Sequence, residues 1–344
     1  MIKSYIKAIT YYLPSEIVSN DSNDRMTKKI GIFSKHVTNE NEFASDLAYY
    51  AAEELFSKNL CNKDEIDMLI YCTQSPDYFL PTTACIIQDR LGLKKSVGAF
   101  DYNLGCSGYG YGLSMAKGFI ETGIAKNVLL LTADTYSKYI NPLDGTVKPL
   151  FGDGASATLI TGADYLEKEC IGSIVFGTDG SGAENLIVPA GGLKEPISNT
   201  SFEETEDSRG NVRTRKNLYM NGKEIFNFAV REIPRAIEDL LSKNNQKLED
   251  YDYFIFHQAN EYMMETLRRK LGIPKEKFSV QLADCGNTVS STIPIALYRD
   301  FEEGKIKVGD NIMLVGFGVG YSWFANSIIW NPKGENLNDI KGIY

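Results

Sequence analysis

The chain has 344 residues, a length that points to about two domains. With 43% apolar and 24% charged residues it has the composition of a soluble globular protein, and no window approaches the roughly 18 uncharged apolar residues of a membrane span. A net charge of −9 argues against general nucleic-acid binding, and six scattered cysteines with no CxxC argue against a metal centre or a disulfide framework and fit a reducing cytoplasm.

In chain order, the opening MIKSYIKAITYYLP lacks the apolar core and small-residue cleavage site of a signal peptide, so a cytoplasmic location is expected. An amphipathic helix closes at Glu54-Leu55-Phe56-Ser57-Lys58-Asn59, and Asp67-Met68-Leu69-Ile70-Tyr71-Cys72 reads as a short apolar strand. Gly105 and Gly108 flank Cys106 and permit a tight strand-to-helix turn, after which Tyr109 to Ala116 continues as a buried helix. Val128 to Leu131 has the pattern of a buried strand, and Gly154 to Ile160 alternates with period two.

The same steps then return. Asp239-Leu240-Leu241-Ser242-Lys243-Asn244 echoes the first helix end at an offset of 239 − 54 = 185, and Asp252-Tyr253-Phe254-Ile255-Phe256-His257 echoes the first strand at the same offset. Gly286-Asn287-Thr288 stands opposite Gly105-Cys106-Ser107, Ile312 to Val315 opposite Val128 to Leu131, and Tyr321 to Ile328 opposite the period-two stretch. The reading is an α/β protein of two fused, similar halves, residues 1–168 and 169–344. The first half carries an extra segment near 136–150 and the second a polar insertion near 194–216. A pseudo-twofold brings equivalent elements to a common centre, so Cys106, Asn287 and His257 are expected to share one cavity.

Taken singly, each has a plain structural role: a buried thiol, a core histidine on a carbonyl, a cap residue. Taken together they narrow the chemistry. A thiol at a helix start feels the positive end of the dipole, which is expected to lower its pKa below about 8.5 and arm it for thioester formation. An asparagine cannot titrate, so with the histidine N–H it can only donate to a carbonyl oxygen that becomes negative. Such a pair suits an enolate-forming step. In Gly316-Phe317-Gly318-Val319-Gly320 the backbone can approach a ligand closely, and an amide there can join that of Cys106 as an oxyanion hole. A phosphate loop is the rival reading, but the GxGxxG spacing, a following helix and a Walker lysine are absent.

Leu104-Gly105-Cys106-Ser107-Gly108, Phe151-Gly152-Asp153-Gly154-Ala155, His257-Gln258-Ala259-Asn260, Gly286-Asn287-Thr288 and the glycine run together resemble the β-ketoacyl-acyl-carrier-protein synthase III family of condensing enzymes, over residues 1–330 or so. The resemblance implies a thiolase-like five-layer αβαβα fold and a homodimer. Catalysis would fall to Cys106, His257 and Asn287, with the backbone amides of Cys106 and Val319 as oxyanion donors and Leu80, Phe317 and Gly318 at the substrate. Cys106 would take an acyl primer from coenzyme A or an acyl-carrier protein. Malonyl-carrier protein would then decarboxylate beside His257 and Asn287 and condense with the acyl-Cys, giving a β-ketoacyl thioester. No cofactor or metal is implied, since both acyl groups arrive on their own thiol carriers.

Departures from the family pattern accompany the match. Arg25 and Gly145 stand where the family sandwiches adenine between Trp and Arg, and Tyr262 replaces an Arg that receives the carrier protein. Basic character survives at Arg268, Arg269 and Lys270, and in Arg209, Arg213, Arg215 and Lys216 of the insertion. Leu80 stands where the family has a Phe reaching into the partner's acyl tunnel. These changes point to a specialised member, and they keep open an acyltransferase that moves the acyl group to a hydroxyl or amine without decarboxylation. A papain-like thiol hydrolase shares the order Cys, His, Asn, but its nucleophile does not arise from a duplicated half. His36 lies in a polar stretch and is assigned no chemistry.

Overall fold

The computed structural model describes residues 1–335. Its elements run β1 (Lys3–Tyr12), β2 (Glu16–Ser19), α1 (Arg25–Ile30), β3 (Ser34–Val37), α2 (Ala44–Ser57), β4 (Met68–Cys72), α3 (Thr83–Arg90), β5 (Gly98–Tyr102), α4 (Gly108–Glu121), β6 (Asn127–Asp134) and β7 (Gly154–Ala163). They continue with β8 (Ile171–Thr178), β9 (Leu186–Ile187), β10 (Thr205–Glu206), β11 (Val212–Arg213), β12 (Tyr219–Met220), α5 (Gly222–Asn244), β13 (Tyr253–Phe256), α6 (Glu261–Leu271), α7 (Thr292–Glu302), β14 (Asn311–Gly318) and β15 (Ser322–Ile329).

Two sheets carry the architecture, one ordered β1-β7-β6-β4-β5 and the other β13-β14-β15-β8. Their inner strands are buried on both faces, and period-two alternation splits each strand between two cores. Ile70, Val128 and Leu130 face a central cluster with Ile255, Ile312 and Leu314. Leu69, Tyr71, Leu129 and Leu131 face outward onto Leu47, Ala48, Ala51 and Leu55 of α2. Phe254, Phe256, Met313 and Val315 face the opposite way, onto Phe228, Ile233 and Ile237 of α5 and Met264 and Leu267 of α6. Helices α4 and α7 fill the centre: Tyr109, Leu113, Ala116, Ile293, Ala296 and Leu297 pack there against strands of both sheets. The layers are therefore α2/α3, sheet, α4/α7, sheet, α5/α6: five, as expected, in a thiolase-like arrangement.

The internal echo is visible in the pairing. Met68 lies beside Val128 in a parallel ladder, as Tyr253 lies beside Ile312. In both sheets the next two strands then turn antiparallel. Asn59 and Asn245 both adopt positive φ just past the ends of α2 and α5, so the second helix ends one residue later than the sequence match places it. Where the first sheet has β5, the second has only a single parallel bridge, Phe254 to Phe278. All strands of the first sheet fall within residues 3–163 and all those of the second within 171–329. The end of the second half, 336–344, lies outside the described residues.

The two segments that break the echo meet each other. Arg213 of the insertion forms an ion pair with the buried Asp144 of the extra segment and another, at 2.9 Å, with Asp207. Leu218 donates its N–H to the carbonyl of Tyr139 at 2.8 Å. Together they wall the channel described next. No described helix is long and apolar enough to cross a membrane.

Candidate active site

Cys106 occupies the turn between β5 and α4, with Ser107 at the helix N-cap. Gly318, at the end of β14, lies against it so closely that a Cβ there would stand 2.7 Å from the Cys106 sulfur. Glycine at that position is a matter of space. Burial, with the Asp134 carboxyl nearby, pushes the thiol up to about 12, outweighing the backbone amides of Cys106 and Val319, which favour the thiolate. This corrects the expected depression. The helix start supplies donors, but a thiol only 4% exposed loses more by desolvation than it gains from them.

His257 follows β13, its N–H held by the carbonyl of Val315 at 2.7 Å. The buried ring meets Phe317 edge-on, with centroids 5.7 Å apart, and its Nδ1 lies 2.7 Å from the Thr292 hydroxyl. Burial pushes its pKa down to about 3, so the imidazole is neutral.

Asn287 is clamped by the Phe151-Gly152 segment. Its N–H donates to Leu150 O at 2.9 Å, and its carbonyl accepts from Gly152 N–H at 3.1 Å. Gly286 takes φ 69°, in the left-handed region that favours glycine. The Asn287 side-chain oxygen accepts from Val289 N–H at 2.9 Å, which turns Nδ2 toward His257 Nε2, 3.4 Å away. Val289 holds that donor in place with φ 55°, a costly conformation for a β-branched residue.

One buried cavity of about 90 Å³ is lined by Cys106, His257, Asn287, Phe317 and Gly318. The fold thus brings together five of the residues singled out in the sequence. It shares Leu150, Met220, Gly222, Asn260 and Met263 with an outer channel of about 530 Å³ that opens past Lys29, Arg209, Phe226 and Tyr262. Gly145 lines that channel; Arg25, the first residue of α1, does not. Tyr262 stacks on Phe226 at 5.7 Å, and Lys29 Nζ sits 3.9 Å over its ring. On the other side, Val319 and Gly320 border an apolar groove of about 790 Å³ with Tyr136, Tyr139, Phe79 and Leu186.

Other residues singled out in the sequence lie apart from this centre. Leu80 is 82% exposed in the single chain and lines none of these cavities, although its neighbour Phe79 borders the groove. Arg268 and Arg269 both close on Glu265 of their own helix, and among the described residues Lys270 has no ion pair. Asp153 receives Thr38 N–H and hydroxyl, each at 2.8 Å, and the Ser137 N–H and hydroxyl. Asp101 caps α3 through Thr83 and Ala84 N–H. His36 Nδ1 lies 2.5 Å from Pro14 O, its proton directed there, away from the cavity.

Sequence reasoning passed over several residues that the fold brings to the site. Thr292 is one hydroxyl in the run Ser290-Ser291-Thr292, and nothing in that run marks the one that meets an imidazole. Asp134, wholly buried at the end of β6, accepts from Gln74 N–H at 2.8 Å and from the Ser290 hydroxyl at 2.5 Å, and so ties the Cys106 side to the Asn287 turn. Burial pushes this carboxyl up to about 7. Ser322 and Ser107 form a second such pair across the halves. Among the described residues no group of His, Cys, Asp and Glu is arranged to hold a metal ion.

The profile of the family described as 3-oxoacyl-[acyl-carrier-protein (ACP)] synthase III matches residues 100–180, and that of its C-terminal part matches 241–330. A β-ketoacyl-[acyl-carrier-protein] synthase III of Clostridium tetani is 38% identical over 327 residues, 93% of this chain and 96% of the relative. A solved 3-oxoacyl-(acyl-carrier-protein) synthase III superposes with a TM-score of 0.93 at 49% identity, over 95% of this chain and 100% of its own. A 3-oxoacyl-(acyl-carrier protein) synthase of Burkholderia xenovorans LB400 superposes at 0.87 with 34% identity, over 96% of each chain.

Proposed function

Because the chain belongs to the β-ketoacyl-acyl-carrier-protein synthase III family of condensing enzymes of fatty acid biosynthesis, we propose that Cys106, His257 and Asn287 carry its two half-reactions, as an acyltransferase of the condensing type. In the first, the Cys106 sulfur attacks an acyl thioester. The new C–S bond forms as the carrier's C–S bond breaks, and the thiol proton leaves with the carrier. The tetrahedral oxygen lies between the amides of Cys106 and Val319, the two that favour negative charge on the sulfur. In the second, a malonyl thioester loses carbon dioxide, and its enolate oxygen takes hydrogen bonds from His257 Nε2 and Asn287 Nδ2. The carbanion attacks the acyl-Cys carbonyl and expels the Cys106 thiolate, which is reprotonated. A β-ketoacyl thioester leaves.

The observation that carries this reading is the neutral, buried imidazole beside an amide whose oxygen is already occupied. Both groups can donate to an oxygen, and a base whose conjugate acid titrates near 3 is poor at activating a hydroxyl or amine acceptor. Decarboxylative condensation is favoured over simple acyl transfer on that ground. The outer channel is proposed to take the pantetheine arm of coenzyme A or a carrier protein, with Lys29, Arg209 and Lys223 of its lining as cations for an acidic carrier, and Lys270, outside that lining, as a further docking cation. Arg268 and Arg269 are less available, being paired to Glu265. Leu80 is proposed to act only in a homodimer, across the partner's acyl groove.

The test is intact-mass analysis after exposure to acyl-CoAs and acyl-carrier proteins, followed by malonyl-carrier protein. Addition of one acyl group, lost in Cys106→Ala, and release of carbon dioxide with a β-ketoacyl product are expected. Loading on another residue would reject Cys106 as the nucleophile, and an ester or amide product would reject the condensation.

A further inference from the structure

The two amides assigned to the oxyanion hole come from different halves of the chain: Cys106 precedes α4, and Val319 lies in the loop between β14 and β15. An oxyanion hole of this kind works only if the two N–H groups keep their spacing while the carbonyl carbon becomes tetrahedral. Packing supplies part of the constraint. A Cβ on Gly316 would stand 2.8 Å from the Cys106 carbonyl oxygen, so β14 lies directly against the Cys106 turn.

A second link is polar. The Ser322 hydroxyl donates to the carbonyl of Val319 at 2.9 Å. That uses its single proton, so in the 2.6 Å contact between Ser322 and Ser107 the Ser107 hydroxyl is the donor. Ser107 is fully buried and Ser322 is 3% exposed, so water does not compete for either. Ser107 is the next residue after Cys106, and Ser322 lies three positions beyond Val319. The two hydroxyls thus bridge the residue bearing one amide donor to the residue bearing the other. Neither side chain lines the reaction cavity.

We infer that Ser107 and Ser322 are positioning residues: the proton chain Ser107 → Ser322 → Val319 carbonyl holds the amides of Cys106 and Val319 at oxyanion-hole spacing. This rests on the assignment of Cys106 and Val319 made above. It goes beyond it in predicting a loss confined to reactions that build a tetrahedral oxygen.

The experiment compares two probes of the same sulfur in the full-length enzyme. Acyl-CoA loading passes through an oxyanion, whereas alkylation by iodoacetamide displaces iodide without one. In Ser322→Ala and Ser107→Ala the loading rate is expected to fall about tenfold, since a loosened donor costs less than the roughly 10²-fold of a donor removed. Alkylation needs the same thiolate, which these amides favour, so a loss of about twofold at most is expected there, and it is the excess loss in loading that reports on the oxyanion. Ser322→Thr keeps the hydroxyl and should restore loading, and the double variant should lose little more than either single one, because both break the same chain. Equal losses in loading and alkylation, or no loss in either, would overturn the inference. Circular dichroism and thermal melting accompany each variant, and Ser107→Ala serves if Ser322→Ala does not fold. If wild-type enzyme fails to load at Cys106 at all, the fault lies in the proposed function and not in the hydroxyl chain.

Discussion

Cys106 rests as a thiol, because its burial outweighs the two amides that favour the thiolate. A group with a raised pKa gains its reactive, deprotonated form only as pH climbs toward that value. Alkylation by iodoacetamide is therefore expected to speed up about tenfold per pH unit across pH 6 to 9, with no plateau near the ordinary cysteine value of about 8.5. A plateau below that point would show a depressed thiol instead. At His257 the question is where the single proton sits. Donation from Nε2 to an enolate requires Nδ1 to be an acceptor, and among the described residues the hydroxyl within reach of Nδ1 is that of Thr292, at 2.7 Å. The same hydroxyl also donates to the Val289 carbonyl at 3.2 Å, a longer bond that must be given up for its single proton to go to Nδ1. Thr292→Val is expected to slow carbon dioxide release about tenfold, less than the roughly 10²-fold of a positioned donor lost outright because the imidazole itself remains, while Cys106 loading is unchanged. Thr292→Ser should behave as wild type. The chain has only two histidines, so ¹⁵N spectra of labelled protein can read the tautomer directly, with His36→Gln to assign the signals.

At the scale of elements, α4 shows how the nucleophile is held. It carries Gly108, Gly110, Gly112 and Gly118, a poor composition for a helix by propensity alone. Three of these are dictated by neighbours. A Cβ on Gly108 would stand 2.3 Å from the Cys72 sulfur, one on Gly110 2.3 Å from the Phe324 ring, and one on Gly112 2.5 Å from Leu130. The helix gives up propensity to lie close to both sheets, and this closeness carries Cys106 to the end of β14. Gly118 faces open space. Gly110→Ala is expected to destabilise, because overpacking costs about 1–3 kcal/mol against a propensity gain of about 1 kcal/mol. Gly118→Ala is expected to stabilise by up to about 1 kcal/mol, with no clash to offset it. Thermal melts of the two variants should move in opposite directions. A higher melting temperature for Gly110→Ala would mean that the contact with Phe324 yields easily.

At the scale of the molecule, the boundary at 168/169 is proposed to separate two similar halves that do not fold alone. Phe324 of one half packs against Tyr109 and Leu113 of the other, and Ser290 and Ser322 reach across to Asp134 and Ser107. Residues 1–168 expressed alone should give no cooperative melt, and co-expression with 169–344 should restore one; a cooperative transition for the isolated half would contradict this. How much of this was legible in the chain follows from what each signal reports. Duplicated strand and helix patterns, glycines around Cys106, and the late His-Gln-Ala-Asn and Gly-Asn-Thr runs are local properties, and they sufficed for an α/β fold of two similar halves and for which thiol, imidazole and carboxamide would meet, the five layers following from the family resemblance. The sequence did not determine the state of those groups. Whether Cys106 is a thiol or a thiolate depends on the water excluded by residues more than a hundred positions away, so burial reversed the expectation drawn from the helix start. The partners of His257, Asn287 and Val319 are ordinary hydroxyls and amides, Thr292, Val289 and Ser322, with no distinguishing neighbours in sequence. Only the tertiary structure decided them, because a hydrogen bond depends on distances of a few tenths of an ångström that no local pattern encodes.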